Sequence, residues 1–286
     1  MKQRLSFSKF HGCGNDFLIF DETRGRRTSD STRSRLAKRL TDRHFCVGSD
    51  GLMFLEPAKG ADCSMRLFEP AGNEAEMCGN GIRCIAAYMM TKLEKNEVDI
   101  LTRDGTKHVG RAGCEYVVDM GEVRTRRADL KTYMTNSGRA VDTMLSMTLR
   151  AVGRTFKGSI VFSGEPHIVV RTAKLDSLDL AAIGESVNAD RKRFPKGVNV
   201  NFVQVTGAHS INIRTYERGV YDETLACGTG ATACASVALM LGWVRPGTVR
   251  VFTRGGRLKI QLDKNGRARM TGPAERIFEG SVVVEI

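Results

Sequence analysis

The chain has 286 residues, 41% of them hydrophobic and 27% charged, which is typical of a globular protein that can bury two cores. It has no run of about 18 apolar residues, and its first residues lack the apolar region of a signal peptide. We therefore expect a cytosolic protein that does not associate with membranes. The net charge of +12 favours anionic metabolites over nucleic acid, because no nucleic-acid-binding motif is present and aromatic residues make up only 7%.

The eight cysteines could be read as four disulfides. In a long chain without a secretion signal, free thiols are the expected state. No Cys-x-x-Cys pair or Cys/His cluster has the spacing of a zinc site, so we expect no bound metal.

Hydrophobic patterns and turn residues predict the elements of the first half in order. They are strands at 4–10 and 16–21, a helix at 31–44, strands at 51–56 and 62–69, and a helix from Cys78 to about Leu93. Asp104-Gly105 then predicts a hairpin.

The second half repeats this plan. It has strands near 140–150 and 158–170, a helix near 175–187, strands at 198–206 and 209–217, and a helix after Cys227 to about Leu241. A hairpin is predicted at Gly255-Gly256, and a closing strand at 276–286 could join either half.

Two segments of the form Cys-Gly-x-Gly, at Cys78 and Cys227, each run into an apolar stretch rich in alanine. They are 149 positions apart, and similar segments at Arg66 and Arg214 are 148 positions apart. Several matches at a nearly constant offset predict two homologous halves related by a pseudo-twofold axis.

A glycine pair at the start of a helix exposes backbone N–H groups to an anion. The positive end of the helix is expected to lower the pKa of a cysteine placed there. Two such thiols, one per half, could remove an α-proton from one face of an amino acid and return a proton to the other. The N–H groups would hold the carboxylate as negative charge develops, and no cofactor is needed.

Simpler interpretations exist for one copy of the motif, which is more often a tight turn with a buried cysteine. The segment beginning at Gly228 also fits a loose dinucleotide-binding pattern, but no apolar strand precedes it. Cys78 and Arg83 resemble the Cys-x5-Arg loop of phosphatases, but in this chain the spacing between the two residues is one residue too short. Neither alternative explains why the motif occurs twice.

At these residues the chain resembles the diaminopimelate epimerases, a family of amino-acid epimerases independent of pyridoxal phosphate. The matching motifs, which span nearly the whole chain, are 9–17, 75–84, 164–167, 199–202, 216–219, 223–230 and 270–274.

The resemblance implies an α/β (α+β) fold of two pseudosymmetric halves, each a curved, barrel-like sheet around a central helix. The N-terminal half would comprise residues 1–124 plus 273–286 and the C-terminal half 125–272, with the active site where they meet. It also implies a homodimer that converts LL-diaminopimelate to the meso form in lysine and peptidoglycan-precursor synthesis.

The resemblance further implies that Cys78 and Cys227 are the acid/base thiols. The implied substrate-binding residues are Asn15, Glu69, Gly79, Asn80, Glu165, Asn199, Glu217, Arg218, Gly228 and Thr229. Among them, Glu217 and Arg218 would recognise the distal ammonium and carboxylate. His167 would assist the ionisation of Cys78, or else be a structural histidine fixed by the adjacent proline.

Three positions depart from the family pattern. Glu69 and Glu165 stand where asparagines are usual, and Gly51 replaces a glutamine found in some members. Ionised glutamates only accept hydrogen bonds, so they favour an ammonium and repel a distal carboxylate unless a cation such as Arg218 compensates. The alternative hypothesis is therefore a cofactor-independent racemase of another amino acid, such as a basic one.

Overall fold

The computed structural model describes residues 2–25, 28–75, 78–134 and 146–285. The chain divides into two compact units, which differ by a few residues from the boundaries expected above. Unit 1 comprises Met1–Asp119 and Thr271–Ile286, and unit 2 comprises Met120–Met270.

The first part of the chain builds unit 1. Its elements are β1 (Lys2–Gly12), β2 (Asn15–Asp21), α1 (Asp30–Leu40), β3 (Gly51–Glu56), β4 (Cys63–Phe68), β5 (Glu74–Ala75), α2 (Gly79–Leu93), β6 (Glu97–Thr102), β7 (Gly105–Ala112) and β8 (Glu115–Glu122), the last of which runs into unit 2.

Unit 2 follows, and the chain then returns to unit 1. The elements are α3 (Arg127–Leu130), β9 (Met147–Ala151), β10 (Arg154–Ser163), β11 (Glu165–Arg171), α4 (Leu180–Ala189), β12 (Asn199–Gly207), β13 (Ser210–Glu217), β14 (Asp222–Thr224), α5 (Gly228–Met240), β15 (Val249–Thr253), β16 (Gly256–Leu262), β17 (Arg267–Gly272) and β18 (Glu275–Glu285).

Strand pairing has the same pattern in both units, which confirms the predicted duplication. In unit 1, the successive pairs β1–β2, β2–β3, β3–β4, β4–β6 and β6–β7 alternate between antiparallel and parallel. In unit 2, the pairs β10–β11, β11–β12, β12–β13, β13–β15 and β15–β16 alternate in the same way. The outer strands also correspond, because β18 pairs with β1 and β9 pairs with β10.

Each sheet curves around one buried helix, as the α/β prediction requires. The first nine residues of α2, from Gly79 to Ala87, are all buried, and so are the first eleven residues of α5. A helix without a polar face belongs in a protein interior. Helix α2 contacts β1, β2, β6, β7 and β18, whereas α5 contacts β10 to β13, β15 and β16.

Each unit has a further helix, α1 in unit 1 and α4 in unit 2, on the side of the sheet opposite the central helix. It packs there through an apolar stripe. Leu36, Ala37 and Leu40 of α1 join a cluster with Phe20 and Phe54, whose rings stack with their centroids 5.1 Å apart. In unit 2, residues of α4 pack against buried side chains of β12 and β13. These clusters hold the strands that lead to the two cysteines.

Some predicted bounds were wrong for local reasons. Helix α1 stops at Leu40 instead of His44, because Asp42 Oδ1 accepts the N–H groups of His44 and Phe45 at 2.8 Å each and folds a turn there. The predicted segment 158–170 is two strands that turn at Gly164, whose φ is +72°. Of the strand predicted near 140–150, residues 140–145 lie outside the described residues.

Candidate active site

Cys78 occupies the N-cap of α2 in extended backbone conformation, with φ −138° and ψ 117°. The helix's hydrogen bonds begin with Ile82 N donating to Cys78 O at 2.9 Å. The N–H groups of Gly79 and Asn80 therefore lie in the first turn, ahead of the helical ladder. The thiol is partly exposed at the positive end of the helix, as the Cys-Gly-x-Gly motif predicts.

Two asparagines adjoin this thiol. Asn15 Oδ1 lies 3.6 Å from Cys78 Sγ and accepts a hydrogen bond from Asn80 Nδ2 at 3.3 Å. A second hydrogen bond fixes the orientation of the Asn15 amide, because its Nδ2 donates to Asp50 Oδ2 at 2.7 Å. The structure thus brings three of the predicted site residues of unit 1 together.

Cys227 is the N-cap of α5, with φ −116° and ψ 115°. Its sulfur accepts a hydrogen bond from Gly230 N at 3.3 Å and lies 3.3 Å from Thr229 Oγ1. Ala231 N donates to Cys227 O at 2.8 Å, so the N–H groups of Gly228 and Thr229 belong to the first turn of the helix. This thiol is buried, unlike Cys78.

The second glycine of each motif is required by close packing. A Cβ on Gly81 would lie 2.0 Å from Met53 Cε. A Cβ on Gly230 would lie 2.7 Å from Asn201 Oδ1 and 3.2 Å from Cys227 Sγ. In unit 2, the glycine therefore keeps the space beside the thiol open.

The expected lowering of a cysteine pKa at a helix N-terminus is wrong for Cys227. Burial raises the pKa of this thiol well above its ordinary value, and the charge of Glu217 raises it further. Hydrogen bonds from Thr229 and Gly230 act in the opposite direction but are outweighed. Cys227 is a neutral thiol in this state, suited to giving a proton.

Glu165, Asn199 and Arg218 form one polar cluster in unit 2. Arg218 Nε donates to Glu165 Oε2 at 3.1 Å, and Asn199 Nδ2 donates to the same oxygen at 2.8 Å. Arg218 N donates to Asn199 Oδ1 at 2.8 Å, which fixes the amide orientation. Arg218 is therefore the cation that compensates the negative charge of Glu165, as expected from the sequence.

Glu217 ends β13 beside this cluster and accepts a hydrogen bond from Thr224 Oγ1. The guanidinium of Arg218 also lies over the ring of Tyr133, 5.5 Å from its centroid. These contacts hold the adjacent acidic and basic side chains in fixed orientations.

His167 is fully buried and lies next to two asparagines. Its Nε2 is 3.5 Å from Asn199 Nδ2, and its Nδ1 is 3.2 Å from Asn201 Nδ2. Burial lowers the pKa of this imidazole to about 4. His167 is therefore neutral near pH 7, and its described contacts are those of a residue that orients Asn199.

Glu69 and Gly51 lie at the ends of paired strands in unit 1. Glu69 is half-buried where β4 enters a tight loop, with Glu69 N donating to Asn73 O at 2.9 Å. A Cβ on Gly51 would lie 3.0 Å from Leu67 Cδ1 and 3.2 Å from Phe68 O. A glutamine at position 51 would therefore require Leu67 to shift.

A repeated ion pair that was not predicted from the sequence fixes the segment before each cysteine. Arg66 Nη2 donates to Glu74 Oε2 at 2.9 Å, and Arg214 Nη2 donates to Glu223 Oε2 at 2.6 Å. These pairs tie β5 to β4 and β14 to β13. The signal was present in the internal repeat, where both the arginine and the glutamate recur at nearly the same offset.

No helix within residues 2–25, 28–75, 78–134 and 146–285 combines the length and apolar character needed to span a bilayer. Over the same ranges, no three histidine, cysteine, aspartate or glutamate side chains are grouped as metal ligands would be. All eight cysteines are free thiols.

Solved structures of similar architecture share the fold at low sequence identity. A hydroxyproline epimerase from Agrobacterium vitis, solved with trans-4-hydroxy-L-proline, aligns with a TM-score of 0.70 at 13% identity, over 99% of this chain and 92% of that one. A phenazine biosynthesis protein of the PhzF family from Bacillus anthracis gives 0.67 at 15% identity, over 99% and 100%.

Relatives identified by sequence have a much higher identity to this chain than these solved structures do. The chain is 40% identical to the diaminopimelate epimerase of Methanothrix thermoacetophila, over 99% of this chain and 98% of the relative. It is 37% identical to that of a Synechocystis strain, over 98% and 99%. The family model described as diaminopimelate epimerase matches residues 7–126 and 159–277. This chain belongs to the diaminopimelate epimerase family.

Proposed function

We propose that this chain is an isomerase that epimerises LL-2,6-diaminopimelate to meso-diaminopimelate with two cysteine thiols. The observation that carries the proposal is the Cys-Gly-x-Gly helix start, which occurs once in each unit of a chain that belongs to this family. A single copy would supply one acid/base group. Inversion at a carbon atom by this mechanism needs two such groups, one to remove a proton from one face and one to give a proton to the other.

The reacting α-carboxylate binds at the two helix N-termini. Backbone N–H groups of Gly79, Asn80, Gly228 and Thr229 donate to its oxygens. Removal of the α-proton moves negative charge onto these oxygens, and preorganised donors stabilise that charge without rearranging. We expect this stabilisation to contribute more to the rate enhancement than any other single interaction.

One thiolate removes the α-proton and becomes a thiol, while the opposite thiol gives its proton to the other face and becomes a thiolate. The carbon–hydrogen bond that breaks is replaced by a new one of opposite configuration, and the total protonation of the pair is unchanged. Cys78 and Cys227 perform these steps and exchange roles with the direction of reaction. The step requires no cofactor.

The remaining predicted residues bind the rest of the substrate. Asn15 lies next to Cys78 and orients the substrate near that thiol, whereas Glu69 supplies a carboxylate from unit 1. Glu217 accepts an ammonium. The cluster of Glu165, Asn199 and Arg218 offers both an anion and a cation, which matches the zwitterionic distal end of diaminopimelate. His167 positions Asn199.

The alternative, a racemase of a basic monocarboxylic amino acid, is not favoured. The sequence relatives carry the name diaminopimelate epimerase. Of the two glutamates that motivated the alternative, Glu69 and Glu165, the second is paired with Arg218 at 3.1 Å.

The test is isotope exchange in D2O without pyridoxal phosphate. The protein is incubated with LL-diaminopimelate and, separately, with lysine, ornithine, arginine and histidine, and loss of the α-proton is followed by NMR. Exchange and epimerisation of diaminopimelate supports the proposal. Exchange of a monocarboxylic basic amino acid, with none of diaminopimelate, overturns it.

The proposal includes a cytosolic location and assembly as a homodimer, both implied by the family resemblance. Ile277, Phe278 and Val283 on β18 are 50%, 44% and 53% exposed, and exposed apolar side chains of this kind often belong to interaction surfaces. Light scattering coupled to size-exclusion chromatography measures the assembly directly; a monomer at micromolar concentration contradicts this part.

A further inference from the structure

Asn15 lies beside the Cys78 thiol, and an amide can face that thiol in two ways. Its Oδ1 accepts hydrogen bonds and its Nδ2 donates them, so turning the amide over exchanges an acceptor for a donor. An acceptor favours the protonated thiol, whereas a donor favours the thiolate. The structure places Asn15 Oδ1 3.6 Å from Cys78 Sγ. Which residues hold the amide in this orientation therefore matters for the chemistry of the thiol.

On one side, the amide is approached by a second asparagine that is itself oriented by a guanidinium. Arg83 is fully buried, and its Nη2 donates to Asn80 Oδ1 at 2.9 Å. With its oxygen occupied in this way, Asn80 turns Nδ2 toward Asn15 and donates to Asn15 Oδ1 at 3.3 Å. This distance is longer than the usual range of about 2.7–3.2 Å, so the bond orients Asn15 only weakly.

On the other side, the amide meets Asp50, a carboxylate that can only accept hydrogen bonds. Asp50 Oδ2 accepts from Asn15 Nδ2 at 2.7 Å and from Asp16 N at 3.1 Å. The bond to Asn15 is short and has a charged acceptor, which makes it about twice as strong as a bond between neutral groups. If the amide of Asn15 turned over, its oxygen would face the carboxylate oxygen, and the bond would be lost. Asp50 therefore selects one orientation.

Asp50 is itself held by several partners. Arg43 Nη2 donates to Asp50 Oδ1 and to Asp16 Oδ1, at 2.7 Å each. Asp50 N donates to Asp16 O at 2.8 Å, and Lys9 Nζ lies 3.0 Å from Asp16 Oδ2. The Asp50 side chain is 39% exposed, so a lone ion pair with Arg43 would contribute little. The bonds to the backbone of Asp16, together with this ion pair, fix the carboxylate in place.

The equivalent position in unit 2 makes this orienting role specific to unit 1. The internal repeat aligns Asn15 with Glu165, 150 positions later. A carboxylate presents an acceptor whichever way it turns, whereas an amide does so in only one of its two orientations. The side chain at the position of Asn15 thus needs an orienting partner in unit 1 that it does not need in unit 2.

We propose, on the basis of the function above, that Asp50 is a positioning residue that turns the Asn15 amide so that its oxygen faces the Cys78 thiol. This oxygen accepts the S–H of Cys78 whenever that residue carries the transferred proton. The thiol form of Cys78 is therefore favoured over the thiolate. With the amide turned over, Asn15 Nδ2 would donate to the sulfur and would favour the thiolate instead.

Peptide-resolved alkylation tests the proposal in the full-length protein without substrate. The rate of iodoacetamide labelling of Cys78 is measured by mass spectrometry across the neutral and alkaline pH range. Asp50→Asn keeps the size of the side chain but places an amide opposite Asn15, so that both amides can turn over together. The midpoint of Cys78 labelling should move about half a pH unit lower. A midpoint that is unmoved, or that moves to higher pH, overturns the proposal.

A double-mutant cycle separates orientation from charge, because losing the negative charge of Asp50 also favours a thiolate nearby. In the Asn15→Ala background there is no amide to turn, so adding Asp50→Asn should leave the midpoint unchanged. An equal shift in both backgrounds shows that charge alone acts on Cys78, and it overturns the proposal. Arg83 and Cys84, the titratable groups of α2 whose charges act on Cys78, are the same in all of these variants.

Asp62→Asn is the matched control. Asp62 is another aspartate of unit 1 that pairs with a cation, Lys95, and accepts a backbone N–H, that of Asp99. Removing its charge should leave the labelling profile of Cys78 at its wild-type position. A shift as large as that of Asp50→Asn would mean that labelling reports a general loosening of unit 1, and would contradict the proposal.

Neutron diffraction provides a test that needs no variant and no folding of a mutant. In crystals of the wild-type protein exchanged into D2O, the deuterium atoms of the Asn15 amide show which way it faces. An ND2 group directed at Asp50 supports the proposal, and one directed at Cys78 overturns it. Neither experiment requires turnover, so both results stand even if diaminopimelate is not the substrate. The two proposals can therefore fail separately.

Discussion

Arg218 Nε lies 3.1 Å from Glu165 Oε2, so the arginine proposed to bind a distal carboxylate already carries a counter-ion. Asn199 donates to the same glutamate oxygen and accepts from the backbone of Arg218. The three groups present an acceptor for an ammonium next to a donor for a carboxylate. We therefore expect the pair to bind both charges of an amino-acid end, and a ligand that carries only one of these charges should bind less well.

Replacing Glu165 by glutamine should change specificity more than rate. A hydrogen bond to a charged group contributes about 1.5 kcal/mol, which corresponds to roughly tenfold in kcat/KM. Glu165→Gln should raise kcat/KM about tenfold for L-2-aminopimelate, which lacks the distal ammonium, and lower it about tenfold for L-lysine. Steady-state kinetics with both substrates checks this. Glu185→Gln, an exposed substitution on α4, is the control, and an equal change for both substrates contradicts the argument.

Removing either proposed acid/base thiol should slow epimerisation by orders of magnitude. Cys78→Ala and Cys227→Ala each remove a proton-transfer group, so we expect losses of about 10²- to 10⁴-fold in kcat. Chiral chromatography of the diaminopimelate isomers measures the rate. Cys114→Ala removes an exposed thiol in the β7–β8 turn and should leave the rate unchanged. Normal activity in either of the first two variants is incompatible with a two-base mechanism.

Gly184 should be intolerant of a side chain because α4 packs directly on an aromatic ring. A Cβ there would lie 2.1 Å from Tyr216 Cγ, and the ring is fully buried. Gly184→Ala should lower the free energy of unfolding by about 1–3 kcal/mol, the usual cost of overpacking. Urea denaturation measures the change. Gly110→Ala, with nothing within 4 Å of the added methyl, is the control; equal costs at both positions would contradict the packing argument.

His167 should make stability depend on pH between its folded and unfolded pKa values. The folded pKa is about 4 and the reference value is 6.5, so in this window the unfolded chain binds more protons than the folded one. The contribution of His167 is therefore present above pH 6.5 and is lost as pH falls toward 4. The stability difference between the wild type and His167→Gln should be about 1–2 kcal/mol larger at pH 7 than at pH 5, measured by urea denaturation at each pH. His209→Gln is the histidine control, and a difference independent of pH refutes the assignment.

The sequence predicted the features that depend on local rules. The Cys-Gly-x-Gly motifs start helices at Gly79 and Gly228 because the residue types required there are adjacent in the chain. The alternation of strands and the duplication were also readable, since the second unit repeats the order of the first.

Features that depend on how the strands fold back onto one another were not predicted. The partners of Arg66 and Arg214 are eight and nine positions away and meet only when the short strands fold back. The raised pKa of Cys227 results from burial and from the charge of Glu217, ten residues earlier, neither of which a motif reveals. Pairing of Glu165 with Arg218 likewise joins the start of β11 to the turn after β13, and the two residues are 53 positions apart.

The pairing of β18 with β1 has a consequence for how the protein is made. Register pairs run from Lys2 opposite Glu285 to His11 opposite Glu275, so the ribosome produces one of these strands before unit 2 and the other after it. Unit 2 is a continuous stretch and can fold during translation, whereas β1 of unit 1 lacks its partner strand until β18 has been made. The order of synthesis therefore makes the internal module the earlier one to mature.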